Sequence, residues 1–195
     1  MVVLVSRRTI NTRLLASLII LLAAATWGCP SSLAQSVNEY QVKAAFLYNF
    51  AKFVEWPAQS FKGPDDPITI CVVGHDPFGN MLEDTVKGKS FEGRPFAVRD
   101  VAEVQQAGGC NILFFSTAER KHLRSMLQSL GTPGVLTVGE TEGFAIDGRV
   151  INFKLEEGKV RFEINPDAAA SAGLQIRSNL LSLAKIVRKG KSERP

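Results

Sequence analysis

The chain of 195 residues holds three cysteines and two histidines, and these bound the chemistry open to it. Zinc would need Cys71, Cys110, His75 and His122 brought within bond length, and no H-x-x-x-H or C-x-x-C spacing places any two together. A G-x-S-x-G nucleophile elbow, a Walker phosphate loop and a dinucleotide fingerprint are all missing. The acidic pairs Asp65-Asp66 and Glu156-Glu157 fall in connectors and turns, where charge ordinarily serves solubility. These residues describe a protein without catalysis, metal or cofactor.

Binding chemistry has more to stand on. The loops GHDPFG (74–79), FSTAE (115–119) and VGETEGF (138–144) each follow an apolar run that reads as a buried strand. Small ligands in open α/β sheets bind beyond the carboxyl ends of the strands. His75, Asp76, Ser116 and Glu140 are the polar groups that would face such a crevice. Against it, Asp76 and Ser116 also sit where helix caps are wanted.

The segment EYQVKAAFLYNFAKFVEWP (39–57) carries six of the sixteen aromatic residues. Read as a helix, its apolar arc spans roughly 200°, wider than the stripe of about 100° on an ordinary surface helix. That breadth predicts burial on more than one side, with the final helix lying over the Phe46-Phe50-Phe53 row. Tyr48, Lys52 and Trp56 fall on the opposite arc at i, i+4 and i+8, an aromatic-cation-aromatic row suited to gripping a partner. The alternative is that Trp56 folds back under the Pro57 connector. Lys43 falls within the apolar arc, where its stem is expected to snorkel.

The first thirteen residues carry Arg7, Arg8 and Arg13, and the apolar run LLASLIILLAAA (14–25) follows them. The run is shorter than the roughly 20 residues of a membrane span, and small residues at Ser32 and Ala34 suit a signal peptidase. Residues 1–34 therefore read as an export signal and 35–195 as the mature domain. Acylation at Cys29 is the less favoured alternative, because Trp27 is bulky where lipoprotein signals want small residues. The overall charge of +4 is misleading, since the signal and the last eleven residues are basic and the body from 35 to 184 carries −3. No face suited to nucleic acid follows from that distribution. After cleavage only Cys71 and Cys110 remain, and an even pair in an oxidising compartment predicts a disulfide, with two buried free thiols as the alternative.

Along the mature domain, Ser36 and Glu39 read as a capping box for the opening helix and Pro57 as its end. ITICVVG (68–74), NILFFS (111–116) and VLTVGE (135–140) read as strands buried on both faces, and RPFAVRDV (94–101) as a further strand. Asp76 with Pro77, and Ser116 with Glu119, read as the starts of the two intervening helices. VINFKLEEGKVRFEI (150–164) alternates with period two and reads as a hairpin at one sheet edge, turned by the three residues Glu156-Glu157-Gly158. Asn165 and Pro166 open a last helical region whose better half places Ile176, Leu180, Leu183, Ala184 and Val187 at helical spacing. The sum is an α/β single-domain sandwich with a mixed, largely parallel central sheet, helices on both faces and a C-terminal β-hairpin followed by a helix.

The run from Tyr40 through Phe50 to Trp56-Pro57 resembles the opening signature of the YfiR family of periplasmic proteins. Asp76-Pro77-Phe78-Gly79, Cys110-Asn111-Ile112-Leu113, Val135 to Gly139, Ile151-Asn152-Phe153, Phe162 to Asn165 and Ala172-Gly173-Leu174 continue the likeness in order across the mature chain. The resemblance implies a non-enzymatic regulator that binds the periplasmic region of a membrane sensor. It implies a diguanylate cyclase held off, and so control of cyclic di-GMP and biofilm. It also matches Cys71 and Cys110 to a disulfide of the family, while a second family pair has no counterpart here. The alternative is a small-ligand-binding module feeding a sensor kinase. Which membrane protein is the partner, and whether the chain forms a homodimer, stay open at the level of sequence.

Overall fold

The computed structural model describes residues 31–119, 123–128 and 133–188. Residues 1–30 of the predicted export signal, Cys29 among them, His122 and the basic tail beyond Arg188 lie outside the described residues. The chain divides into Met1–Ser36 and Val37–Pro195, and the architecture below is that of the second unit.

Strands β2 (Ile68–Val73), β5 (Ile112–Phe115) and β6 (Leu136–Gly139) lie side by side in parallel, and every residue in them is buried. Alternation of side chains divides each strand between two cores. Ile68, Ile70, Val72, Ile112, Phe114, Leu136 and Val138 face one side, while Cys71, Val73, Leu113 and Phe115 face the other. This is why the runs read as continuously apolar. Five further strands complete the sheet: β3 (Ser90–Phe91), β4 (Arg94–Val101), β7 (Ile151–Glu156), β8 (Lys159–Ile164) and β10 (Lys185–Ile186). The eight-stranded order is β10-β8-β7-β6-β5-β2-β4-β3, with β3/β4 and β7/β8 antiparallel and the remaining pairs parallel. A two-stranded ribbon joins β1 (Val54–Glu55) to β9 (Gln175–Ile176).

Helix α1 (Ser31–Phe53) and helix α2 (Met81–Val86) cover the larger core. Ala44, Leu47, Phe50 and Ala51 of α1 have no exposed surface. Phe50 stacks on Phe153 at 5.6 Å and meets Phe162 edge-on at 5.2 Å, and Phe46 meets Phe162 at 5.3 Å. Each such large side chain, fully buried, contributes about 1.5–3 kcal/mol. On the other face, α3 (Leu123–Gln128), Phe144 and the cysteines close a smaller core. The mixed, largely parallel sheet and its two helical layers are as expected.

Several local expectations give way. The helix row meets the β7–β8 hairpin, not a final helix. The hairpin does not form the edge, because β10 pairs outside β8. Its connection is two residues long: Glu156 pairs with Lys159, and Glu157 (φ 51°) and Gly158 (φ 73°) both turn left-handed. Glu92 (φ 51°) and Gly93 (φ 81°) make the same kind of turn between β3 and β4, a hairpin the sequence did not suggest.

Asn165 does cap α4 (Pro166–Ser171), accepting from Ala168 N at 3.1 Å. Beyond it, however, Gly173 at φ 73° ends the helix and Ile176 pairs with Val54. The remainder forms only the one-turn α5 (Ser178–Leu181) and β10, which leaves Leu183 72% exposed. Val54 and Glu55 are extended by this pairing, so α1 stops at Phe53, before Pro57 acts. At its other end α1 runs back through Ser36 to Ser31, so Ser36 is not its N-cap.

Candidate functional site

The strand ends do bring the predicted crevice residues together. Gly74 and His75 follow β2, Ser116 follows β5 and Glu140 follows β6, all at the carboxyl end of the parallel strands. Side chains of the same chain pack against these loops. Glu119 lies over Gly74, its carboxylate accepting from His75 N at 3.2 Å, and a Cβ on Gly74 would sit 2.2 Å from that oxygen. Ser116 is buried and donates from Oγ to the His75 carbonyl at 3.2 Å. The capping box expected of Ser116 and Glu119 is therefore not made. Its place is taken by a short 3-10 turn, Thr117–Glu119. Asp76 closes a turn by accepting from Phe78 N at 2.8 Å, and α2 starts five residues later at Met81. His75 is exposed. Beside β6, the ring of Phe144 packs onto Gly139, where a Cβ would lie 2.7 Å from it.

Glu140 is the hub of this end, with its side chain 4% exposed. It accepts from Tyr40 Oη at 3.0 Å, from Thr117 N at 2.8 Å, from Thr117 Oγ1 at 3.2 Å and from Lys43 Nζ. Lys43 also pairs with Glu39 one helical turn back. The lysine does not snorkel: it is an interior charge held between two carboxylates, which sequence periodicity could not disclose. Burial first, then the Glu140 charge and hydrogen bond, push the Tyr40 phenol well above the usual tyrosine range. The Tyr40 ring also meets Phe78 edge-on at 5.4 Å. The network thus ties the front of α1 to the loops after β5 and β6. Nearby, burial and the charges of Asp76 and Glu83 raise Asp100 above the usual carboxylate range. Among the described residues no group of histidines, cysteines and carboxylates converges as metal ligands.

The second predicted site is Tyr48, Lys52 and Trp56. None of the six opening aromatics is fully exposed, because the sheet face and β4 absorb most of their surface. Tyr48 leans on Phe96 of β4 with ring centres 5.1 Å apart. The Lys52 ammonium stands 4.6 Å from the centre of the Tyr48 ring, and Lys89, which the sequence did not single out, stands 4.5 Å from it. Trp56 leaves the row because α1 ends at Phe53; it lines a cleft of about 140 Å³ with Phe61, Phe91, Arg94 and Arg177. Its Nε1 is buried without a hydrogen-bond partner. Arg177 crosses that cleft's rim, pairing with Glu55 at 3.1 Å and Glu92 at 3.7 Å.

The third site is the cysteine pair. Cys71 and Cys110 form a disulfide with Cα atoms 5.9 Å apart, buried in the smaller core. It joins the middle of β2 to the residue two before β5, closing a loop that spans β4. A second groove of about 390 Å³, lined by Ser60, Asp66, Arg99, Cys110, Asn111 and Pro133, opens at the amino end of the parallel strands.

Comparison with known proteins adds two findings. The model of the YfiR/HmsC-like family matches residues 40–185, which covers every element from the Tyr40 end of α1 to β10. A crystal structure of a conserved domain protein from Vibrio cholerae O1 biovar El Tor superposes with a TM-score of 0.50 at 12% identity. That superposition takes in 77% of this chain and 60% of the other, so the chain spans under two thirds of that protein; the likeness is one of fold.

Proposed function

This chain belongs to the YfiR/HmsC-like family, a family of periplasmic regulators, and from that premise we propose that it is exported, with residues 1–34 as its signal, and represses a membrane diguanylate cyclase by binding the cyclase's periplasmic region. The match of the family model over residues 40–185 carries the reading. A buried disulfide suits the oxidising periplasm. The contact surface lies on the outer side of α1 around Tyr48 and Lys52, extended by Trp56 at the adjoining cleft. Repression requires that the chain bind the cyclase's off state more tightly than its on state, since equal affinity would shift nothing. Glu119 packs on Gly74, Phe144 on Gly139, and Glu140 is engaged by Tyr40, Lys43 and Thr117, which favours a protein partner over a small ligand there.

The experiment is deletion of the gene in its host with measurement of cyclic di-GMP and biofilm. Both should rise, and a version with an intact export signal should restore them while one lacking residues 1–34 should not. Unchanged cyclic di-GMP on deletion would remove the cyclase from the proposal.

A further inference from the structure

We propose that the Tyr48 ring, with the ammonium groups of Lys52 and Lys89, forms an anion-selective contact that takes a short acidic segment of a protein partner. The inference rests on the partner-binding role just proposed and adds the chemistry of what is bound. Two ammonium groups stand against the Tyr48 ring, Lys52 Nζ at 4.6 Å and Lys89 Nζ at 4.5 Å from its centre, and the Tyr48 hydroxyl adds a third donor. Among the described residues none of the three has a carboxylate or any other hydrogen-bond acceptor as partner, although the body from 35 to 184 is net acidic at −3. Two like charges are thus held at one tyrosine without a counter-ion, and an exposed cation–π contact is worth only about 0.5–1 kcal/mol. An incoming carboxylate supplies the counter-ion and gains charge-assisted hydrogen bonds.

The floor of the contact is rigid. Tyr48 projects from the middle of α1, whose neighbours Leu47 and Phe50 are wholly buried, and it rests against Phe96 of β4. Lys89 stands just before β3, and its carbonyl accepts from Phe96 N at 3.4 Å, which fixes the two elements together. The cationic cluster is therefore assembled from two separate parts of the chain. A protein segment is favoured over an anionic bilayer because the body from 35 to 184 is net acidic at −3, which a broad anionic surface would meet along with the lysines. A short acidic stretch can engage the lysines alone.

The test uses the full mature chain and two probes, a decaglutamate peptide and phosphatidylglycerol vesicles, at low and high salt. The expected result is that decaglutamate shifts the backbone amide signals of Tyr48, Lys52 and Lys89 selectively. The shifts should disappear in a Lys52→Glu/Lys89→Glu variant, persist in Lys52→Arg/Lys89→Arg, and weaken at least tenfold in apparent affinity at high salt. Equal shifts at the other lysines, such as Lys154 and Lys159, would overturn selectivity. Sedimentation with the vesicles that the Glu variant abolishes would replace the acidic segment with lipid. In cells, the Glu variant should raise cyclic di-GMP. If deletion of the whole gene leaves cyclic di-GMP unchanged while the peptide shifts appear, the cyclase reading fails and the anion contact stands.

Discussion

Lys43→Met is the sharpest perturbation the fold offers. The ammonium is 5% exposed and lies between Glu140, at 4%, and Glu39, at 20%. Removing it leaves Glu140 in the interior with only the Tyr40 and Thr117 donors and brings two carboxylates together without a cation. Breaking a buried pair from one side costs about 3–5 kcal/mol. For a chain of this size each kcal/mol moves the melting temperature by about 2–4 °C, so a fall on the order of 10 °C is expected. Calorimetry or far-ultraviolet circular dichroism of the mature protein measures it. Two controls locate the cause. Arg188→Ala removes an ion pair to Asp167 at 2.7 Å whose side chains are more than half exposed, and should cost less than about 1 kcal/mol. Lys43→Met/Glu140→Gln removes both charges and should recover part of the loss, with a coupling of about 0.5–3 kcal/mol. A single Lys43→Met variant that melts within about 1 kcal/mol of wild type would refute the claim that this network pins α1.

Other expectations are narrower. Tyr40 has its phenol held above the usual range, so the folded state keeps a proton that the unfolded chain releases above about pH 10. Stability should accordingly fall as pH rises past that value, and Tyr40→Phe should flatten the alkaline limb of the melting curve while lowering stability at neutral pH. Reducing the disulfide, or Cys71→Ser/Cys110→Ser, should cost about 4 kcal/mol in the chain-entropy model of a forty-residue loop; unchanged denaturant midpoints with and without reductant would contradict it. Gly74→Ala should destabilise by about 1–3 kcal/mol through its φ of +76° and its collision with Glu119, and Glu119→Ala in the same chain should relieve only the collision. Urea titration of the single and double variants separates the two contributions.

The layers and strands of this molecule were legible because Ile68 to Val73, Ile112 to Phe115 and Leu136 to Gly139 face two cores at once, which leaves an unbroken apolar run in the sequence. Contact between distant elements was not legible. Lys43 looked like a misplaced charge because its partner Glu140 is 97 residues away. Lys89 gave no signal because nothing local says that it will stand over Tyr48. The apolar C-terminal residues kept helical spacing, but Gly173 turned the chain and β1 recruited Ile176 into a ribbon, so tertiary pairing overrode periodicity. Likewise Ser116 and Glu119 had the spacing of a capping box, yet each found a better partner in His75 across the crevice. His75, Asp76, Ser116 and Glu140 lie in the loops after the strands, and the packing of Glu119 and Phe144 beside them was not anticipated.

Strand β2 has a consequence for how the two sides of the molecule communicate. Its odd-numbered members Cys71 and Val73 belong to the layer behind the sheet, and its even-numbered Ile70 and Val72 belong to the layer beneath α1. A change at the sulfurs therefore touches the back layer directly and reaches the layer beneath α1 through the backbone of strands that face both, β2 and β5.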